Sequence, residues 1–521
     1  MFSQENFARI FSFAILSKSK SPQLKHRHHL FINSLTFAAT SFLFLSLTTS
    51  AWAVPFASQI EVSQKTVVAG EQTEITYFLN ESADSVLIEL ADGITTAAAF
   101  SGTVAQGKNH VIWNGHVDNA GGAVAAAGAW RVYVSAFKTR GQWEEIASQS
   151  SLANIGPAGA LHQEMFDGFQ PNSCVFIVDQ DSSYFGKAVT NIANENKSLW
   201  GAALLNSDLT NASTSSPLES LFFIPPPAIN KSTKYCGMTI DPDNNERVFI
   251  ASQGGTTFNL FSGDLKTSVV SSADPGQALT LIRAVAIANE GGQKYAYFLP
   301  SNTYIIKAKL DPVTNQVVGS ARNLITLGPS SSYYNAGLTL DQNGNLYFLG
   351  KYSDSSKGTG GILLRWDRSV IEGDPANYPL NITHQAASWM VTVPANIVNL
   401  CGPAITPNGD VYVASINAGD KTKDIGIYYV GNAAEANVSG ALSTDDRVVD
   451  FKQIGTPATQ WEGDKKYFQI VSDPAGNLLA LDRATEQMRL FAPPVTSAQT
   501  TRAPQSQTLV ITAGVNNWLR Y

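Results

Sequence analysis

The chain has 521 residues, with 35 Lys+Arg against 42 Asp+Glu, a formal net charge of −7, 44% hydrophobic and 15% charged residues. That length exceeds what one ordinary core organises, so two or more domains are expected. The composition excludes a disordered or charge-driven chain, and forty Gly with seventeen Tyr lean towards β structure rich in turns.

The first 53 residues read as an export signal. Lys18, Lys20, Lys25, Arg27 and three histidines precede an apolar stretch from Leu30 to Leu47. Ala51-Trp52-Ala53 then supplies the small-x-small pattern of a signal peptidase site, which predicts cleavage between Ala53 and Val54. The region is longer than a usual signal of about 15–30 residues, so a start codon downstream of Met1 fits better. A retained membrane anchor is the competing reading; no Cys follows the apolar run to carry a lipid, and no later segment has the length of a spanning helix. Residues 1–53 hold five Lys+Arg and one Asp+Glu, leaving 30 against 41 and a formal charge of −11 on the mature chain. That balance argues against nucleic acid and anionic membranes as partners. Three cysteines, Cys174, Cys236 and Cys401, are too few and odd in number for a disulfide framework.

Residues 54–147 read as a small β-sandwich. Short apolar or alternating runs at Ile60–Val62, Thr73–Phe78, Ser85–Leu90, Asn109–Trp113 and Trp130–Ala136 are separated by turns at Ala91-Asp92-Gly93 and Asp118–Gly122. Roughly seven such strands in about 90 residues fit an immunoglobulin-like sandwich. Phe78–Ala83 followed by Val86-Leu87-Ile88, then Trp113-Asn114-Gly115, then Gly128–Tyr133, resemble the immunoglobulin-like domain of the flagellar-hook-cap type (FlgD-like) found in bacterial surface proteins. The resemblance implies a spacer or assembly role and places Trp113 in the core beside a tight turn. His110 and His116 flank that Trp, and the reading preferred for them is surface polarity, since a closed metal site needs four ligands. A linker with Gly156-Pro157-Ala158-Gly159 is expected over 148–171.

Residues 172–521 carry a repeated unit: a small-residue strand, an Asp/Asn/Gly turn and a second apolar strand. The clearest copies are Ala336–Phe348 and Cys401–Val413. Segments begin near Cys174, Cys236, Ala284, Ala336, Cys401 and Phe468, which predicts a closed propeller of six blades, with seven as the alternative count. Gly337–Asp341 with Gly344–Tyr347 resembles the strand-turn-strand pattern of NHL-repeat propellers. Gln507–Thr512 has no repeat of its own and is expected to complete blade one and close the ring. The fold class is therefore all-β, a sandwich followed by a propeller.

Candidate chemistry is sparse. Cys236 and Cys401 share a repeat position with Ala336, so a demand for small side chains at the axis is preferred to a redox pair. Asp241, Asp243 and Asn245 alternate oxygen ligands and are the candidates for Ca²⁺, although the twelve-residue spacing and glycine of an EF-hand are missing. His384 is the one histidine in the propeller segment, and no triad is identifiable around it. Asp179, Asp341, Asp410 and Asp473 recur near strand ends as turn residues. Trp200, Tyr333, Tyr334, Trp389 and Trp461 fit packing between blades better than a ligand rim. The preferred reading is an exported, monomeric, non-enzymatic protein that contacts protein or glycan through propeller loops, without catalytic residues. The alternative is a metal-dependent propeller hydrolase or lyase, acting on lactones or glycans, with carboxylate and Asn ligands in its channel.

Overall fold

The computed structural model describes residues 55–150, 170–194, 199–210, 212, 234–253, 258–261, 268–270, 284–299, 304–327, 337–354, 358–374, 382–394, 397, 400–415, 425–451, 453, 468–482 and 487–513. The segment read as an export signal, with Ala53 and Val54, lies outside them. No helix among the described residues is long and apolar enough to cross a membrane.

Eight strands open the described chain: β1 (Ala57–Val62), β2 (Thr66–Val68), β3 (Thr73–Leu79), β4 (Ser85–Ala91), β5 (Thr96–Ser101), β6 (Gly107–Trp113), β7 (Gly128–Arg140) and β8 (Glu144–Ser150). Alternation does the local work. In β3 every second residue, from Thr73 through Ile75 and Tyr77 to Leu79, is buried, which is the period of a strand with one face on a core. β1, β3 and β6 form one sheet of a sandwich, while β4 and β5 lie beside β7 in the other. Trp113 is 1% exposed and donates Nε1–H to the His116 carbonyl at 2.8 Å, so it packs in the core beside the turn as expected. Gly115 makes that turn possible: its φ is +84°, and a Cβ there would lie 2.6 Å from the Gly70 carbonyl carbon.

The sandwich is completed from the far end of the chain. Its second sheet runs β2, then the C-terminal strand Val495–Thr512, then β7, β4 and β5. Val495 lies opposite Arg140 and Ile511 opposite Gly128, an antiparallel pairing interrupted by two irregularities, and Val510–Thr512 pairs parallel with β2. Leu509 and Ile511, at 0% and 2% exposure, belong to the sandwich core. The expected closure of blade one by Gln507–Thr512 is thus corrected. This segment is an alternating strand with one apolar face, and that face finds its match between β2 and β7.

Among the described residues, six further sheets make the propeller. Their innermost strands are Gln170–Phe176, Lys234–Asp241, Ala284–Glu290, Gly337–Leu340, Leu400–Ile405 and Phe468–Ser472. Each contacts the next, and the sixth contacts the first, so the ring closes. At that seam the Cys174 amide donates to Gln469 Oε1 at 2.8 Å. The strand that completes blade six is β8, which pairs with Gln487–Ala492. The whole propeller therefore sits between two hydrogen-bonded neighbours of the sandwich: the chain leaves through β7 and β8 and returns through Val495–Thr512.

Two blades cover their outer edges with strands lent by the following blade. Ile382–Thr383, from the connection inside blade four, pairs parallel with Ile325–Thr326 of blade three. Val438–Ala441, from blade five, pairs parallel with Trp389–Thr392 of blade four. Such borrowing satisfies backbone groups that an edge strand would otherwise expose. Near the axis the blades touch backbone to backbone. A Cβ on Gly237 would lie 2.8 Å from Ala284 Cα, and one on Gly337 would lie 1.4 Å from the Gly402 carbonyl oxygen. The repeat position that alternates Cys and Ala thus precedes a residue that must be glycine.

Candidate functional site

The hairpin turns between first and second strands of all six blades emerge at one end of the propeller, and they carry its recurrent acidic residues. Two of these turns share one chemistry. In blade four Asp341 Oδ1 accepts the amides of Asn343 and Asn345, both at 2.9 Å, and Oδ2 accepts Asn345 Nδ2–H at 2.8 Å. In blade six Asp473 Oδ1 accepts the amides of Ala475 at 2.9 Å and Asn477 at 2.8 Å, and Oδ2 accepts Asn477 Nδ2–H at 2.7 Å. A carboxylate reaching over its own turn replaces water for backbone donors that the hairpin leaves free. Blade five varies the theme: Asp410 accepts from Asn408 Nδ2 at 2.7 Å and Asn432 Nδ2 at 2.9 Å. Asp179 in blade one accepts the Asp181 amide at 3.0 Å.

Blade two holds the residues expected to bind Ca²⁺. Asp241 is fully buried, and its Oδ1 lies 2.7 Å from Lys294 Nζ; Asp243 Oδ2 lies 3.1 Å from the same ammonium. Lys294, 1% exposed, also donates to Asn315 Oδ1 at 2.8 Å, and Asn289 Nδ2 donates to Asp243. An ammonium stands where the sequence reading placed a calcium ion, supplying the positive charge that the carboxylates require. The described donors therefore form a built-in ion pair between blades two and three; the Asn245 side chain lies outside the described residues. The partner was illegible because Lys294 is far from Asp241 in sequence and begins an unremarkable strand.

Blade three uses a second buried lysine. Glu290 Oε2 lies 2.8 Å from Lys307 Nζ and accepts the Gly373 amide at 2.7 Å, while Tyr297 donates its hydroxyl to the other oxygen. Lys307 also donates to the Ile371 carbonyl at 2.6 Å, and its ammonium lies 4.4 Å from the Tyr295 ring centre. Burial pushes the Lys307 ammonium below its ordinary range, against the charge of Glu290, which pulls it back up. This arrangement ties blade three to the one-turn helix Arg368–Ile371 of blade four.

At blades one and six the same end meets the sandwich. Phe185, in the long turn of blade one, packs edge-on against Phe56 with ring centres 5.7 Å apart, and Ala475 joins the sandwich core. Ser58 Oγ and Ser207 Oγ lie 3.4 Å apart, and Gln59 Nε2 donates to Asn206 Oδ1 at 3.0 Å. Arg140, buried at the base of both crossovers, pairs with Glu81, donates Nε–H to Glu144 at 3.0 Å and Nη1–H to the Pro493 carbonyl at 3.2 Å. Burial raises the Glu81 carboxyl, with Arg140 and then Lys138 opposing the shift.

Asp473, 1% exposed, is the most perturbed carboxyl of this end. Burial pushes it up to about 7, outweighing the three N–H donors, and the charge of Glu81 adds to the rise. A carboxyl with a folded pKa above its unfolded value holds a proton that the unfolded chain releases, so its stabilisation is complete below about pH 4 and lost as pH rises through about 7. Asn477 Oδ1 is buried without a hydrogen-bond partner. In Asp473→Asn the introduced amide donates to that oxygen once the Asn477 amide flips. The variant is expected to match wild type at about pH 4 or below and exceed it at pH 8 by up to roughly 4 kcal/mol, measured by urea unfolding at both pH values.

Other sequence candidates disperse. Trp389 is fully buried between blades, edge-on to Tyr347 at 5.5 Å, and donates Nε1–H to the Glu435 carbonyl at 3.0 Å, so packing is its role. Tyr333, Tyr334 and Trp461, and the side chains of Trp200, Cys236 and Cys401, lie outside the described residues. His384 begins a short 3-10 turn beside the strand lent to blade three. His110 is exposed, and His116 Nδ1 lies 2.7 Å from the Gly122 carbonyl oxygen, so the two histidines are not joined at a site. Among the described residues no three His, Cys, Asp or Glu side chains group to hold a metal ion.

No protein-family model matches the chain, and no curated protein matches it. Solved structures it is similar to include a protein of unknown function from Dyadobacter fermentans DSM 18053, at 10% identity and TM-score 0.40 over 67% of this chain and 99% of that one. An endo-arabinase from Bacteroides thetaiotaomicron VPI-5482 gives 12% identity and TM-score 0.29 over 52% and 93%. A glucose dehydrogenase gives 12% identity and TM-score 0.28 over 50% and 96%. These superpositions are too loose to assign an activity, and the architecture rests on the strand pairing itself.

Proposed function

We propose that the chain is an exported, non-enzymatic binding platform, in which a sandwich of the FlgD-like immunoglobulin type carries an NHL-like propeller whose loops contact protein or glycan. One observation carries this reading: the acidic residues at the turn end are engaged by the chain's own amides and lysines. Asp341 and Asp473 hold hairpins, while Asp241 and Glu290 neutralise Lys294 and Lys307 at blade junctions. Carboxylates committed to the framework are not poised to polarise a substrate. The double crossover supports the reading as well, because it fixes the propeller to its base at two adjacent strands and so holds loops in a set orientation. The acidic mature chain fits partners other than nucleic acid, and a monomer is sufficient for the architecture.

The test uses the mature protein starting at Val54. On an array of bacterial envelope glycans, and against purified envelope proteins, it is expected to bind with unchanged affinity in EDTA and to leave lactone and glycoside substrates intact. Metal-dependent turnover of either substrate class overturns the proposal in favour of a hydrolase.

A further inference from the structure

A corner of three aromatic rings stands beside blade five, at the turn end. Tyr412 and Tyr429 are direct cross-strand partners on adjacent strands of that blade, their ring centres 5.5 Å apart and their planes at 63°. Trp143, in the turn between β7 and β8, lies edge-on to Tyr412 at 5.8 Å and 77°. The sandwich-to-propeller crossover thus delivers the third ring to a pair supplied by the propeller. Tyr412 is 8% exposed, Trp143 is half-buried and Tyr429 reaches solvent at 36%. Burial raises both phenols above their ordinary range, and the negative charge of Asp410 raises both further; Glu435 acts likewise on Tyr429.

The corner has an electrostatic imbalance. Asp410 is held by the neutral amides of Asn408 and Asn432, and Glu435 accepts the Asn432 amide at 2.7 Å. Among the described residues no lysine or arginine pairs with either carboxylate or stands over any of the three rings. Nearby cations are engaged elsewhere: Arg140 with Glu81 and Glu144, and Arg447 with Asp450 at 3.1 Å. By contrast, Lys307 stands over Tyr295 and Tyr297 in blade three, and the Arg365 guanidinium lies 5.2 Å from the Trp389 ring centre. Those interior aromatic groups come with a cation of their own. The corner at Trp143 has no such cation among the described residues, and its Tyr429 ring and partly exposed Asp410 carboxylate are the parts that reach solvent.

We propose that Trp143, Tyr412 and Tyr429, with Asp410 beside them, form a binding site for an alkylammonium group, presented by a small organic cation or by a lysine side chain of a partner. Ring quadrupoles attract an ammonium within about 6 Å of a ring centre, and desolvation by neighbouring rings strengthens the attraction. Charge complementarity selects the class: a neutral sugar satisfies the aromatic surfaces and leaves Asp410 and Glu435 uncompensated. This site is separate from the loop contacts proposed above and stands whichever partner they take.

The test is calorimetric titration of the full mature chain with choline, and with 3,3-dimethylbutan-1-ol, its uncharged isostere. Choline is expected to bind and the alcohol to bind at least about tenfold more weakly. A short lysine peptide and its Nε-acetylated form distinguish the sources: preference for the charged peptide over choline assigns the site to a protein partner, and the reverse assigns it to a free cation. Tyr429→Leu, at an exposed strand position, is expected to weaken choline about tenfold with an unchanged melting temperature, whereas Tyr429→Phe retains binding. Asp410→Asn is a second variant, read only where its circular dichroism matches wild type, and is expected to weaken binding and flatten its salt dependence. Equal affinity for choline and the alcohol, no heat at millimolar concentrations of any charged probe, or choline binding untouched by Tyr429→Leu each overturns the proposal.

Discussion

A fragment spanning residues 54–147 alone is expected to stay unfolded, whereas residues 54–140 joined to 495–513 through a short glycine-rich turn fold into a stable sandwich. Arg140 and Val495 lie directly opposite each other, so a tight hairpin can replace the entire propeller without moving either strand. The fragment ending at 147 lacks Leu509 and Ile511, each worth roughly 1.5–3 kcal/mol when buried. It also leaves β7 as a long unpaired edge, which invites aggregation. Total stability of a domain this size is about 5–15 kcal/mol, so a loss of two core side chains and a ladder is decisive. Far-ultraviolet circular dichroism and resistance to limited proteolysis distinguish the two fragments. A folded, monomeric 54–147 fragment contradicts the topology.

Gly337→Ala is expected to cost at least about 3 kcal/mol and to lower the yield of soluble protein sharply. The added methyl lies 1.4 Å from the Gly402 carbonyl oxygen, so blades four and five must part at the axis, where backbone meets backbone and no side chain can yield. Gly141→Ala is the matched control: nothing lies within 4 Å of its added carbon and its φ is not left-handed, so it changes stability little. Thermal unfolding of the two variants beside wild type gives the comparison directly.

How much of this was readable beforehand depended on distance along the chain. The six repeat starts near Cys174, Cys236, Ala284, Ala336, Cys401 and Phe468 all fall on or at innermost strands, because each blade opens with a small-residue strand and a polar turn whose pattern is local. Trp113 at its turn and Trp389 between blades were likewise legible from neighbouring residues. The closing strands were not. Neither β8 nor Val495–Thr512 carries the local repeat pattern, and only pairing with distant strands decides that the first completes blade six while the second completes the sandwich. The turn chemistry divides along the same line. Asp473 with Asn477 lies four residues apart and is visible as Asp-x-x-Gly-Asn. Asp241 with Lys294, and Trp143 with Tyr412, join residues far apart in the chain, and nothing in either local sequence announces the partner.

The interleaved topology also sets an order of assembly. β7 emerges from the ribosome, or from an export channel, about 355 residues before its neighbour Val495–Thr512, so the sandwich waits half-made while every blade is produced. The blades can close on each other once β8 and Gln487–Ala492 are both present, and only then does the last stretch of chain slot in beside β7. Completion of the N-terminal unit is therefore the final event of biogenesis. A molecule whose synthesis stops short of Val495 leaves β7 as an unfinished sheet edge.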